Sequence, residues 1–176
     1  SVQPLTFQPL YMTRVWGGRS LASIYNRTLP DDQPYGESWE LTDRPDEQSV
    51  VNSGPFAGQT LHELWTNHRE ELFGEDLEGE RFPLLIKILD ARDDLSIQVH
   101  PPVAVAPQLG GEPKTEMWFI ADATPGSQLY IGLKNGTTRD QFEASIADGS
   151  VANHVHAVTP NNGDSIFIPS GRLHAI

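Results

Sequence analysis

Hydrophobic residues fall in short runs along this chain, separated by Gly, Pro and Asn rather than by long amphipathic stretches. In the first 58 residues, stretches 5–10, 37–42 and 48–52 predict strands, while Trp16-Gly17-Gly18 and 30–34 predict turns or loops. A helix follows. Thr60 and Glu63 form a T-x-x-E capping box, in which hydroxyl and carboxylate satisfy free amides at a helix start. Leu61, Leu64, Trp65 and Leu72 supply one apolar stripe, and Gly74 supplies a stop. Beyond it, 83–90 is a short apolar run, 95–100 alternates, 116–121 is aromatic and apolar, and 127–133 reads as another strand. Thr138 and Gln141 cap a second helix over 138–147, and 154–158, 164–169 and 173–176 close the chain as strands. Many short strands with turn signals between them predict a mainly β fold, a sandwich or barrel with peripheral helices. Strands and helices do not alternate, which argues against a parallel α/β sheet.

Charge and composition narrow the function classes. The 176 residues, a length that suits one domain, hold 24 Asp+Glu against 12 Lys+Arg, a net charge of −12. This argues against a nucleic-acid partner, whose affinity comes mostly from Lys and Arg on phosphates, and against an anionic membrane surface. A local cluster of cations for an anionic small molecule stays open. Only Lys87, Lys114 and Lys134 are lysines, so their placement is informative. With no Cys, disulfides, thiol nucleophiles and thiolate metal sites are excluded, and any metal falls to His, carboxylate or amide. The longest apolar stretch, within 82–89, is broken by Lys87 and spans no bilayer. The N-terminus lacks a basic head followed by an apolar run, so the expected location is cytoplasmic.

Three clusters carry candidate chemistry. Residues 163–174 have the spacing G-x5-P-x-G-x2-H, which resembles the second sequence motif of the cupins, double-stranded β-helix (jelly-roll) barrels with a metal inside. Ile166 and Ile168 share one strand face, Phe167 the other, and Pro169 and Gly171 reverse the chain towards His174. A hairpin followed by an incidental His is the plainer reading. In the second cluster, alternation puts Ser96, Gln98 and His100 on one face, either facing solvent or lining a polar cavity. In the third, Glu116 opens an aromatic strand and Lys114 shares its face, as a site pair or as an ordinary pair at a strand edge. Lys87 lies between Leu85 and Leu89, where it must snorkel to an edge or point into a polar cavity. Together Gln98, His100, Glu116 and His174 offer two imidazoles, a carboxylate and an amide. That set suits zinc, with manganese or ferrous iron also acceptable. His62 and His68 read as helix-surface residues. His154 and His156 have metal-pair spacing on a loop-like stretch.

With RVWGG (14–18), GESWE (36–40), ERFPLLIKILDARDDLSIQVHPP (80–102), KTEMWFIADA (114–123) and GDSIFIPSGRLHAI (163–176), the chain resembles the type I, zinc-dependent cupin mannose-6-phosphate isomerases, most closely their compact bacterial branch. The resemblance implies that Gln98, His100, Glu116 and His174 bind zinc. It implies that Ser96, Lys87 and Lys114 face a sugar phosphate, the lysines serving catalysis as well, and that Trp16 and Glu40 lie near the pocket mouth. The implied reaction interconverts D-mannose 6-phosphate and D-fructose 6-phosphate through a cis-enediol. The family continues past the HAI segment with an acidic residue, an arginine and a second cupin-like domain. The expectation is therefore that 1–176 is an N-terminal metal-binding cupin domain cut at its C-terminal end, weakly active or inactive alone. A non-catalytic cupin module that binds a sugar phosphate is the alternative. A different cupin metalloenzyme, such as an oxygenase, would leave the two lysines without a purpose.

Overall fold

The computed structural model describes residues 3–176, in two compact units that divide between Asp93 and Asp94. The first unit is built on an antiparallel sheet, β1 (Leu10–Gly18), β2 (Tyr35–Leu41) and β3 (Ile86–Leu89), with β2 central. The expected strand at 5–10 shrinks to one bridge, Phe7 with Val51, and 48–52 holds isolated bridges rather than a continuous strand. The turn expected at Trp16-Gly17-Gly18 is instead the end of β1. Tyr35 faces both Thr13 and Gly18, so the residues between them bulge out of the ladder. Glycine is required here: a Cβ on Gly17 would lie 2.4 Å from the Gly36 nitrogen, and one on Gly36 would lie 2.6 Å from the Trp16 ring. The RVWGG and GESWE segments thus fit together because each lacks a side chain where the other passes.

After a short α1 (Ser20–Ser23), the capping box at Thr60 and Glu63 forms as expected. The helix it starts is interrupted at His68, giving α2 (Leu61–Asn67) and α3 (Arg69–Phe73). Leu61, Leu64 and Trp65 are fully buried, and the Trp65 ring meets Phe73 at 5.3 Å and Phe82 at 5.7 Å. Beside them Asp43 is a buried hub. Its carboxylate accepts from Gln48 Nε2 (2.6 Å), Arg81 (2.9 Å) and the Phe82 amide (2.9 Å), and meets His62 Nδ1 at 3.0 Å.

The second unit holds a two-stranded sheet, β4 (Glu116–Phe119) with β7 (Ser165–Ile168), and a three-stranded one. In the latter β5 (Leu129–Leu133) lies between β6 (Val155–Val158) and β8 (His174–Ala175). The second capping box forms at Thr138, opening α5 (Arg139–Asp148), and a shorter α4 (Ala106–Leu109) precedes β4. The alternating stretch 95–100 is not a strand. It makes a single antiparallel bridge, Gln98 with His174, and Pro101 and Pro102 beyond it offer no amide to extend a ladder. Ile166 and Ile168 turn inward while Phe167, Met117 and Phe119 are exposed on the other face. Among the described residues no helix is long and apolar enough to cross a membrane.

Candidate metal centre

Strand pairing in the second unit brings distant parts of the chain to one point. Glu116 opens β4, His174 opens β8, and Gln98 exchanges both backbone hydrogen bonds with His174, each at 2.8 Å. Residues paired in that way project to the same face, so Gln98 accompanies His174, and His100 follows two positions on. Each of His100, Glu116 and His174 offers a donor atom within 4.8 Å of the others. Glu116 Oε2 lies 3.0 Å from His174 Nε2 and 3.8 Å from His100 Nε2.

The polar bookkeeping of this cluster fits a cation. His100 Nε2 and Glu116 Oε2 are buried and lack an aligned hydrogen-bond partner, although His174 Nε2 is in contact with that carboxylate oxygen. His174 Nδ1 is 2.9 Å from the Arg172 carbonyl, which can only accept. Nδ1 therefore carries the proton, and in the neutral ring Nε2 presents its lone pair to the cluster, as in metal-ligating histidines. For Glu116, burial pushes the carboxyl upward, but contact with His174, Lys114 and His100 outweighs it and holds the group at about 2. Burial, with Lys114 nearby, lowers His100 below the usual imidazole value, although Glu116 pulls the other way. Contact with Glu116 raises His174 against the opposing effect of burial.

Around these atoms, Lys114 Nζ sits 3.7 Å from Glu116 Oε1, on the face the alternation gave it. Trp118, two residues beyond Glu116, meets the His174 ring edge-on at 5.5 Å. The sequence signal for Trp118 was its i, i+2 relation to Glu116. Gly171, in the reversal before His174, has φ +89, and a Cβ there would lie 2.8 Å from Pro102 Cγ. Its amide donates to the His100 carbonyl at 2.6 Å, so this turn also positions a second cluster residue. Gly171→Ala is expected to cost about 1–3 kcal/mol from backbone strain and to loosen metal binding. Thermal melting with and without metal checks both effects.

The remaining candidates are placed as follows. Ser96 is exposed two positions before Gln98. In the first unit Lys87 Nζ is 2.6 Å from Glu37 Oε1, and Arg14 is 2.6 Å from the other Glu37 oxygen. Burial raises the Glu37 carboxyl, but Lys87 and Arg14 outweigh that and lower it. Lys87 also lies over the Trp39 ring at 5.6 Å. The carboxylate that orders Lys87 is thus Glu37, which the strand pattern alone did not single out. Glu40 accepts instead from Arg27 through both oxygens at 3.1 Å and from Ser38 at 2.7 Å. Trp16 packs against Gly36 in the β1 bulge.

A mainly β chain in which Glu116 and His174 open strands and His100 comes within reach of both has the architecture of the cupin fold. The family model for the catalytic domain of type I phosphomannose isomerase matches residues 5–112, and the chain belongs to that family. It is 42% identical to the mannose-6-phosphate isomerase ManA of Bacillus subtilis, across 100% of this chain and 55% of that protein. A mannose-6-phosphate isomerase of Streptococcus mutans is 37% identical across 99% of this chain and 54% of its own length. The crystal structure of a Bacillus subtilis mannose 6-phosphate isomerase superposes with a TM-score of 0.88 at 32% identity, covering 98% of this chain and 55% of that one. A zinc-bound mannose 6-phosphate isomerase shares the fold at 15% identity, TM-score 0.71, covering 97% and 65%. The chain spans about half the length of the curated relatives it matches.

Proposed function

We propose that this chain carries the zinc-binding part of an aldose–ketose isomerase that interconverts D-mannose 6-phosphate and D-fructose 6-phosphate. The observation that carries the reading is the convergence of His100, Glu116 and His174 within 4.8 Å, with orphaned acceptor atoms facing inward, in a member of this family. His100, Glu116 and His174 would hold the ion, with the Gln98 amide oxygen as a fourth ligand. Bound zinc would act as a Lewis acid that stabilises negative charge on a sugar oxygen.

The chemistry asks little else of the chain in atoms. A proton leaves C2 of the aldose and is returned to C1. A hydroxyl proton passes from O2 to O1, and the cis-enediol lies between. Lys114, beside Glu116, supplies positive charge for an anionic oxygen or for the phosphate. Lys87, oriented by Glu37, supplies a second ammonium, and Ser96 a hydroxyl. Trp16 and Glu40 are assigned to the edge of the substrate site.

Two measurements test this. Lys114→Ala is expected to weaken mannose 6-phosphate binding about tenfold or more, the worth of one charge-assisted hydrogen bond, with metal content unchanged. Undiminished affinity would remove Lys114 from the site. A sugar-phosphate-binding module without turnover is the second reading. Formation of fructose 6-phosphate that stops on chelation supports the enzyme, and metal-dependent binding without turnover supports the module.

A further inference from the structure

Two of the three lysines are accounted for by the proposed site, and the third is not. Lys134 lines a cleft of about 540 Å³ in the second unit, on the β5–β6–β8 sheet. We infer that this cleft is a binding site for a phosphate dianion, free or as a phosphomonoester, held by Lys134, Arg172 and His156.

The charge distribution is the first argument. The protein carries twice as many acidic as basic residues, yet no acidic side chain lines this cleft, while Lys134, Arg172 and His156 all do. Among the described residues none of these three is paired with a carboxylate, in contrast to Lys87 and Lys114. The positive charges of Lys134 and Arg172 therefore meet no carboxylate among the described residues.

The second argument is the setting. Ile131 and Leu173 add apolar surface to the same lining as Lys134 and Arg172. A low-dielectric wall lined by one sign of charge focuses the field and draws in a counter-ion. Lys134 is also held in place: its amide donates to the His154 carbonyl at 2.8 Å and its Nζ to the Asn153 carbonyl at 2.9 Å. One donated proton leaves two on the ammonium for a ligand. Arg172 contributes a planar fork suited to two phosphate oxygens, and the Asn135 amide adds a neutral donor. The three side chains come from separate stretches: Lys134 directly after β5, His156 on β6, and Arg172 in the turn before β8. The His154/His156 pair thereby separates into a residue whose carbonyl braces Lys134 and a residue that lines the cleft. This inference does not depend on the isomerase reading.

The experiment follows the His156 ring signal by NMR, assigned with His156→Gln, while inorganic phosphate is added at constant ionic strength. A saturable shift is expected, and Lys134→Ala with Arg172→Ala should weaken it by about tenfold or more. All three side chains are exposed, so these variants are expected to fold as the parent does. Mannose 6-phosphate is titrated in parallel. Equal affinity identifies a site that reads phosphate alone, and tighter binding identifies a phosphomonoester site. No movement of the His156 signal, the same movement with chloride, or an unchanged titration in the double variant would overturn the assignment. The signal reports on the cleft directly and does not require turnover.

Discussion

His174→Ala is expected to abolish stoichiometric zinc binding, with affinity falling by more than about 100-fold, beyond what losing an outer-shell partner costs. His174 is the cluster residue with most of its environment committed to the role. Its ring is buried, its Nδ1 is fixed on the Arg172 carbonyl, and its Nε2 meets Glu116 at 3.0 Å. Removing the ring also opens a space beside Trp118, so some loss of stability is expected. Glu116→Gln separates the two effects. It keeps the volume and removes the charge, and should lose the metal with little repacking. Metal content by elemental analysis gives one readout. The rise in melting temperature on adding zinc gives another, worth about 2.7 kcal/mol when free ion is 100 times the dissociation constant. Wild-type protein free of zinc, or variants that retain it at full stoichiometry, would sink the site assignment.

The His100, Glu116 and His174 cluster was legible from sequence because its parts are local patterns. Glu116 and Lys114 share a face by strand alternation, and the Pro169–Gly171 reversal leads directly into His174. The stretch 95–100 shows where such reasoning stops. Its alternation is real, but a strand also needs a continuous ladder, and only Gln98 forms a bridge, with His174, while Leu95 and His100 make single backbone bonds to Ile176 and Gly171. The polar face of Ser96, Gln98 and His100 could not be assigned to solvent or cavity without that bridge. Glu37 was missed for a related reason. Its partners Arg14 and Lys87 lie on the strands either side of β2, and Arg14 sits within the β1 bulge, outside the regular register. A one-residue change of register moves a side chain to the opposite face, so a bulge defeats reading by alternation. The capping boxes at Thr60 and Thr138 were readable because each is complete within four residues of chain. The break at His68 was not, since the apolar stripe continues through it to Leu72.

The largest stability effect is expected in the first unit, at Asp43. Its side chain is fully buried and surrounded by donors: Gln48, Arg81, the Phe82 amide and His62. Burial raises the Asp43 carboxyl, but the bonds from Gln48, Phe82 and His62 outweigh it, so the group sits below its usual value. Asp43→Asn keeps the shape, removes the charge and turns one acceptor oxygen into a donor facing other donors. Breaking a buried, hydrogen-bonded ion pair costs roughly 3–5 kcal/mol. At about 2–4 °C per kcal/mol for a chain of this size, the melting transition should fall by roughly 10 °C at neutral pH. The pH dependence has a defined sign. A carboxylate whose folded pKa is depressed stabilises the fold above its unfolded value, near pH 4, and loses that contribution as pH drops through the folded one. The gap between wild type and Asp43→Asn should therefore be widest near neutrality and close in acid. Melting curves by circular dichroism across that range decide it. Equal melting at neutral pH, or a gap that widens in acid, would show that the buried carboxylate is not what ties Gln48, His62, Arg81 and Phe82 together.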